Sequence, residues 1–308
     1  KHDDVTKIGK FGIGFKAVYA YTSKPEIYSG NESFEIVSFV RPRAVKFVAP
    51  SADSTTLFRF PLGTNEIAAK QAHLEILQGL TKLGSSTLLF LRSIERIEWS
   101  DESGKGGAQT RRITPNTDGQ LVQLEKSSSG RNAEVERWWL FTSEPLQRGA
   151  RVQFAFRLGP KGQGIVRPAS CPFVVAFPTE KETSLGFLLN GPYQTTPARD
   201  NIPRDSEWNR YLLGETGDFL VSVVKGLAHS GTLRADFLEA LLPNDGKPLP
   251  QDHICEAILQ RVEQMLREEA VLPCHEGGFQ SAPSAWLGSK ALRELFSTDA
   301  LTALVDKD

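Results

Sequence analysis

The sequence lacks a long hydrophobic run and an excess of charge of either sign. No apolar stretch approaches the roughly 20 residues that a membrane-spanning helix needs. Lys and Arg together number 36 and Asp and Glu together number 37, so the formal net charge is −1. The balanced charge argues against a nucleic-acid or anionic-membrane surface at the level of the whole chain. We therefore expect a cytoplasmic protein with no membrane partner and without a nucleic-acid partner.

Cysteine is scarce as well. The three cysteines, Cys171, Cys255 and Cys274, are far apart in the sequence and form no Cys-x-x-Cys pair. Zinc sites and disulfide frameworks need closely spaced or paired cysteines. The string Cys274-His275-Glu276 has no second ligand cluster near it in the sequence, so we predict no metal site in this chain. We expect buried or incidental thiols in a reducing compartment.

The length and composition are those of a globular protein with more than one domain. A chain of 308 residues exceeds what one hydrophobic core usually serves. Hydrophobic residues make up 40% and charged residues 24%, which is ordinary for a folded protein. The chain opens with Lys1, directly before a glycine-rich motif, so we expect it to be a piece of a longer protein.

The spacing of apolar residues predicts an α+β fold. After the glycine-rich start, short β-like runs lead to a helix over 66–83, and strands are predicted over 86–91 and 94–99. Strand patterns continue through 109–189, and helical patterns dominate after Asp205. Several short strands accompanied by helices predict a sheet that is covered on one face by helices.

The glycine-rich motif is the most informative part of the sequence. Three glycines precede a predicted helix in the string Ile8-Gly9-Lys10-Phe11-Gly12-Ile13-Gly14-Phe15-Lys16. Glycine has no Cβ, so neighbouring N–H groups can approach phosphate oxygens closely, and a helix N-terminus adds partial positive charge. The motif is not a P-loop, because Phe15 stands where that motif needs Lys, and the Rossmann spacing is reversed. A tight strand-to-helix turn that packs its glycines is the structural alternative.

The residues between these glycines resemble the lid box of the GHKL superfamily of ATPases, which includes ninety-kilodalton heat-shock chaperones, gyrase B subunits, MutL proteins and histidine kinases. The continuation through Tyr21 and over 25–30 looks closest to large chaperone-like proteins of the sacsin type. The resemblance implies ATP as the ligand, with β- and γ-phosphates bound by backbone amides. Carried over by position, this function falls on Gly9, Gly12 and Gly14 and on the amides of Phe11, Ile13 and Phe15. Lys10 and Lys16 are either charge partners of the phosphates or solvated lysines.

A second segment resembles the family's threonine-bearing strand beside the adenine. It reads Ser54-Thr55-Thr56-Leu57-Phe58-Arg59-Phe60. Because side chains alternate along a strand, Thr56 shares a face with Phe58 and Phe60, and we prefer Thr56 to Thr55 as the ligand-binding residue. A hydroxyl there can bridge to the adenine amino group or to a water molecule. A threonine that simply favours β-structure is the alternative.

Two further boxes of the family have no match in the chain. They are the helix whose Glu polarises the attacking water and whose Asn binds Mg²⁺, and the Asp-x-Gly turn that reads adenine. Both precede the lid box in the family. The resemblance therefore implies ATP and Mg²⁺ as cofactors, with the Mg²⁺ ligand expected upstream of this chain. We expect the chain alone to bind ATP poorly and to be inactive.

The chaperone, gyrase and MutL branches continue into a transducer domain that sends a basic residue to the γ-phosphate. The string Thr195-Thr196-Pro197-Ala198-Arg199-Asp200 resembles that loop of the chaperones. The resemblance makes Arg199 the catalytic candidate, and the planar, permanently charged guanidinium of arginine suits a phosphoryl group. The structural alternative is an ion pair with Asp200 or Asp205, or capping of the helix that starts near Ser206. Arg204 is the local competitor.

The resemblance implies three domains. The C-terminal part of a Bergerat-type α/β sandwich occupies 1–105, a βαβ transducer-like middle domain 106–243, and a helical module 244–308. The implied function is a chaperone-like, ATP-driven conformational machine. Its expected partners are ATP, protein clients or effector domains of the same polypeptide, and a second copy in a homodimer. A degenerate scaffold that keeps the fold without turnover is one alternative. A DNA-acting ATPase of the MutL or gyrase type is another, which the balanced charge disfavours.

Overall fold

Two β-sheets follow one another along the chain. The computed structural model describes residues 14–46, 56–243, 249–250, 252–274, 277–285 and 300. Within them, a four-stranded sheet comes first, an eight-stranded sheet second, and a two-stranded pair last. The predicted mixed α+β class is confirmed. None of the described helices is both long and apolar enough to cross a membrane.

The four-stranded sheet is antiparallel, in the order β3-β2-β1-β4. A 3₁₀ helix, Phe15–Ala20, precedes it. The turn between the first two strands contains Gly30 at φ +56°, a left-handed conformation that glycine adopts without strain. The strands are β1 (Glu26–Ser29), β2 (Glu32–Val37), β3 (Arg41–Ala44) and β4 (Thr56–Arg59).

Helix α1 (Ala69–Lys82) connects the two sheets and matches the helix predicted over 66–83. The strand predicted over 86–91 is wrong. Its first part is a 3₁₀ helix, Ser85–Leu88, and residues 88–91 are buried. A short apolar run has the same signature whether it is a buried strand or a buried turn. Here the side chain of Arg111, on the large sheet, donates hydrogen bonds to the carbonyl oxygens of Leu88 and Leu91, and no strand is paired with this segment in the described part of the chain.

The eight-stranded sheet is mixed, in the order β11-β10-β12-β9-β8-β7-β6-β5. Strands β10 and β12 run parallel, and the other neighbours run antiparallel. The strands are β5 (Arg96–Ser100), β6 (Gly106–Asn116), β7 (Gly119–Ser128), β8 (Glu134–Thr142), β9 (Gln153–Leu158), β10 (Pro172–Val175), β11 (Phe177–Glu182) and β12 (Leu188–Asn190).

The predicted domain boundary at 105/106 falls in the turn between β5 and β6. In this turn Asp101 Oδ1 accepts hydrogen bonds from the backbone N–H groups of Ser103 and Lys105, each at 2.9 Å. A hydrogen bond from the Ser103 hydroxyl, and then these two backbone bonds, hold the pKa of Asp101 below its usual value. Strands β5 and β6 are hydrogen-bonded to each other across this turn. The division into domains stays a prediction.

An apolar layer covers each face of the large sheet. Helices α2 (Glu207–His229), α3 (Ala235–Leu241) and α4 (Glu256–Glu268) pack on one face, as the helical patterns after Asp205 predict. Ser206 caps α2, because its Oγ accepts a hydrogen bond from the N–H of Asn209. Residues 88–91 cover the other face. Buried side chains of the helix-covered face include Phe154, Phe156, Phe187, Leu220, Val224, Phe237 and Ile258, and those of the opposite face include Val122, Leu124, Trp138 and Leu140.

Candidate functional site

The described part of the glycine-rich motif begins at Gly14. Gly9, Lys10, Phe11, Gly12 and Ile13 lie outside the described residues, so their predicted phosphate contacts stay predictions. Gly14 has right-handed helical torsion angles, φ −56° and ψ −47°, and directly precedes the 3₁₀ helix. A Cβ atom built on Gly14 would have no heavy-atom neighbour within 4 Å among the residues that the structure describes. The backbone torsion angles of Gly14 therefore do not require glycine, and no described side chain crowds it.

Phe15 connects the motif to strand β4. Its ring centroid lies 6.2 Å from that of Phe58 and 6.4 Å from that of Tyr19. Phe58 in turn stacks on Phe60, with ring centroids 6.3 Å apart. Phe15 is 36% exposed and Phe58 is 50% exposed, so both rings also face solvent. The end of the glycine-rich motif thus contacts the strand that carries Thr56. Lys16, the last residue of the motif, is exposed.

Thr56 is paired with a residue that the sequence did not single out. Ser29 is directly opposite Thr56 in the β1–β4 pairing, and their hydroxyl oxygens are 2.7 Å apart. Alternation places both hydroxyls on the same face as Ile27 and Phe58. Ser29 stands 27 residues before Thr56, and only the register of two strands brings them together. No local sequence signal reports that register, which is why Ser29 was missed.

The opposite face of the same strands holds their register with a polar network. The Tyr28 hydroxyl donates to Glu26 Oε2 at 2.7 Å, and Arg59 Nη1 donates to the same oxygen at 3.0 Å. The hydrogen bond to Glu26, and then burial, raise the pKa of Tyr28. Tyr28 is only 2% exposed. Because Arg59 is on β4 and Glu26 is on β1, this network opposes slippage of Thr56 away from Ser29.

Arg199 is bound to the backbone at the start of strand β11. Its Nη2 donates to the carbonyl oxygens of Phe177 at 2.7 Å and Val175 at 3.1 Å. Its own carbonyl accepts from the N–H of Glu180 at 3.0 Å, and its φ is +62°. Desolvation by burial lowers the pKa of Arg199. The guanidinium therefore fixes the turn between β10 and β11.

The predicted structural ion pairs of Arg199 are not formed within the described part of the chain. Asp200 accepts a hydrogen bond from the Thr196 hydroxyl instead, and no salt bridge of a described residue involves Asp205. Arg204, the local competitor, is exposed. The side-chain hydrogen bonds of Arg199 all go to residues 175 and 177, so no described contact connects it to Gly14 or Thr56.

The cysteines show no shared site. Cys171 and Cys255 are buried, and Cys274 is exposed. Burial raises the pKa of the Cys171 thiol to about 12 and also raises that of Cys255. Both buried thiols are therefore protonated and unreactive at neutral pH. Among the residues with a described position, no group of His, Cys, Asp and Glu side chains could hold a metal ion.

Comparison with known proteins gives one similarity. Over 249 residues the chain is 23% identical to Protein NO VEIN of Arabidopsis thaliana. This matched region makes up 71% of the present chain. The chain spans only 9% of the length of that curated relative. No family model matches the chain, and no solved structure matches it. The name of the relative states no ligand or reaction, so the chemistry has to be argued from the residues.

Proposed function

We propose that the chain is part of a GHKL-type ATPase. Residues 9–16 bind the phosphates of ATP, and the face of the four-stranded sheet that carries Thr56 binds the adenine. The contact between Phe15 and Phe58, with ring centroids 6.2 Å apart, carries the proposal. It brings the end of the glycine-rich motif next to the proposed adenine strand, although the two are far apart in sequence. One nucleotide has to reach both.

Gly14 supports the same proposal. Gly14 has a right-handed conformation, and no described residue packs against the position of its missing Cβ, so neither its backbone nor its described surroundings require glycine. A side chain there would instead occupy the space through which a phosphate approaches the backbone. The open side of Gly14 fits a backbone amide that contacts a ligand. Lys16, exposed on the following helix, supplies a positive charge near it.

The polar groups of the site fit a nucleotide better than a metal ion. Thr56 and Ser29 offer hydroxyl groups beside the half-exposed ring of Phe58, a surface on which a base can stack and hydrogen-bond. Within the described residues no group of His, Cys, Asp and Glu side chains could hold a metal ion. The family resemblance puts the Mg²⁺ ligand of the proposed site upstream of the glycine-rich motif. Bound Mg²⁺ offsets the charge of the phosphates.

Arg199 is proposed as the residue that contacts the γ-phosphate from the middle domain. Its guanidinium is planar and permanently charged, which suits a transferring phosphoryl group. In the present structure Nη2 is bound to Val175 and Phe177, so a bidentate contact that includes Nη2 requires Arg199 to exchange these carbonyls for the phosphate. That exchange would couple nucleotide binding to a rearrangement of the β10–β11 turn. The ATP-driven cycle would act on protein clients or on effector domains of the same polypeptide.

The hydrogen bonds of Arg199 also favour one competing function. If the guanidinium never leaves Val175 and Phe177, Arg199 is structural and the fold serves as a scaffold for protein interaction. Turnover by the parent protein separates the two functions. In the ATPase, Arg199→Lys lowers kcat by a larger factor than it raises the Kd for ATP. The reason is that the ammonium group of lysine, a point charge, replaces the planar guanidinium that can form two hydrogen bonds to the phosphate. In the scaffold, wild-type protein and variant alike hydrolyse no ATP.

The test of the proposed function is ATP binding by the parent protein with Gly14→Ala. We expect Gly14→Ala to weaken ATP binding by about 10-fold or more, because a methyl group blocks an amide–phosphate contact. The right-handed backbone accepts alanine, so thermal stability should stay equal or rise slightly. Isothermal titration calorimetry and thermal unfolding measure the two quantities.

Gly79→Ala is the matched control for this variant. Gly79 lies inside α1, and a Cβ built there likewise meets no described heavy atom within 4 Å. Gly79→Ala should therefore leave ATP binding unchanged and stabilise the helix slightly. Equal ATP affinity in wild type and Gly14→Ala, or no ATP binding by the wild-type parent protein, would contradict the proposed function.

A further inference from the structure

Ser29 and Thr56 form a hydroxyl pair on one face of the four-stranded sheet. Their oxygens are 2.7 Å apart, and either oxygen can be the donor. Both residues are exposed. The polar network on the other face, from Tyr28 and Arg59 to Glu26, maintains the register that makes them partners. The strand register that places the two hydroxyls side by side is thus held by a second set of contacts.

From this pair we propose that Ser29 positions the Thr56 hydroxyl to read the amino-bearing edge of a purine base. The inference rests on the proposed nucleotide site and names its base-recognition element. Each hydroxyl has one proton to donate and two lone pairs to accept. When one hydroxyl donates to the other, the donating oxygen keeps only lone pairs for a ligand, and the accepting one keeps its proton. The pair therefore presents an acceptor and a donor side by side.

The edge of adenine has the complementary pattern. Its exocyclic amino group donates, and the neighbouring ring nitrogen accepts. A lone threonine could meet either atom, but its proton would be free to rotate between them. When Thr56 donates its proton to Ser29, the Thr56 oxygen is left to accept from the amino group, and the Ser29 hydroxyl is left to donate to the ring nitrogen, so both contacts form together. Phe58, on the same face and half exposed, is the ring on which the base would stack.

Purine riboside triphosphate, which lacks the amino group, tests this pairing. Guanine is a poor probe, because its edge reverses donor and acceptor and the hydroxyl pair can reverse as well. The Kd values of ATP and purine riboside triphosphate are measured on the parent protein carrying Ser29→Ala, Ser29→Thr or Ser33→Ala. Ser33 lies on β2, opposite Tyr28, and therefore on the other face of the same sheet. Ser33→Ala is the matched control.

We expect Ser29→Ala to weaken ATP binding about fivefold and to change the affinity for purine riboside triphosphate less. The preference for ATP over the analogue should therefore fall. Ser29→Thr restores the hydroxyl and should restore the preference. In the double variant with Thr56→Ala, loss of Ser29 should weaken ATP binding less than it does in the wild type, because each contact of the pair depends on the other. A merely structural serine would move the thermal unfolding midpoint and leave the ratio of the two affinities unchanged.

Two results would overturn the inference. The first leaves the proposed nucleotide site intact, and the second overturns that site as well. If wild-type protein binds ATP and Thr56→Ala weakens it while Ser29→Ala matches Ser33→Ala, Ser29 has no positioning function and the nucleotide site survives. If wild-type protein binds neither nucleotide, the inference and the proposed function fail together.

Discussion

Arg199 shows how a side chain with a predicted catalytic function can have a structural one in the same molecule. Its left-handed φ of +62° costs some backbone strain, and its Nη2 donates to two carbonyl groups. The resemblance to a chaperone loop predicted the catalytic function, and local charge predicted ion pairs with Asp200 or Asp205. Neither argument could predict the carbonyl contacts, because the β10–β11 turn is brought to Arg199 by the fold.

Arg199→Ala should lower the free energy of unfolding by about 1–2 kcal/mol, since two carbonyl groups lose their donor. Urea denaturation measures the change. Arg204→Ala is the matched control: Arg204 is exposed in the same loop, and its loss should cost less than about 0.5 kcal/mol. An Arg199→Ala variant as stable as Arg204→Ala would show that the carbonyl contacts do not hold the turn.

His253 gives the chain a pH-dependent contact at the start of α4. Its Nδ1 accepts a hydrogen bond from the N–H of Cys255 at 3.2 Å, which only an imidazole unprotonated at Nδ1 can do. Burial lowers the pKa of His253, and the positive charges of Lys181 and Arg204 lower it further, while Glu256 opposes them. The folded protein therefore binds the His253 proton less readily than the unfolded chain does.

This difference predicts that the free energy of unfolding decreases as the pH is lowered. The contribution of His253 is fully present above the pKa of the unfolded chain, about 6.5, and is lost as the pH falls through the lower pKa of the folded state. The free energy of unfolding of wild type minus that of His253→Ala, measured from pH 8 to pH 5, should decrease toward pH 5. A difference that stays constant over this range would contradict the lowered pKa.

At the scale of elements, side chains of the large sheet bind the carbonyl groups that end α1 and the 3₁₀ helix Ser85–Leu88. Gln109 Nε2 donates to Leu83 O at 2.9 Å, and Lys126 Nζ donates to Leu83 O at 2.7 Å. Arg111 Nη1 donates to Leu88 O at 2.9 Å and also to Leu91 O. The donors complement the negative ends of both helices. The connection between the two sheets is thereby attached to the second sheet.

Arg111→Met should destabilise the chain by about 2–4 kcal/mol, because buried carbonyl groups would lose a charged donor that water cannot replace. Lys126→Met should cost about 1 kcal/mol or less, since the carbonyl of Thr81, which Lys126 also binds, lies in an exposed part of the helix. Thermal denaturation of the two variants gives the comparison. Equal losses would mean that the buried contacts of Arg111 are not the stronger ones.

The same elements show which parts of the fold a sequence can predict. Strands β6 to β9 follow alternating patterns, α1 follows a helical one, and Ser206 caps α2 through a local contact, so all were predictable. The segment over 86–91 was misassigned as a strand because a fully buried run has no periodicity. Its true form depends on Arg111, about twenty residues further along the chain, and such long-range contacts leave no local pattern.

At the scale of the whole molecule, the candidate site and the large sheet belong to successive parts of the chain. A backbone hydrogen bond from Gly63 N to Tyr21 O, 2.8 Å long, closes the four-stranded part, and Thr22 and Gly63 form an isolated parallel bridge beside it. The glycine-rich motif and the threonine strand were identified from local residues, and their contact through Phe15 and Phe58 was not. Ser29 and the binding partners of Arg199 emerge only from the assembled fold.

Hydrogen–deuterium exchange of the parent protein with and without ATP tests the central claim most directly. A nucleotide bound between the glycine-rich motif and the adenine strand should slow exchange at residues 14–20 and in β1 and β4 together. Strand β3, at the far edge of the same sheet, should exchange at an unchanged rate and serves as the internal reference. The account would be contradicted if saturating ATP left the exchange rates unchanged. It would also be contradicted if ATP slowed exchange elsewhere but neither at residues 14–20 nor in β4.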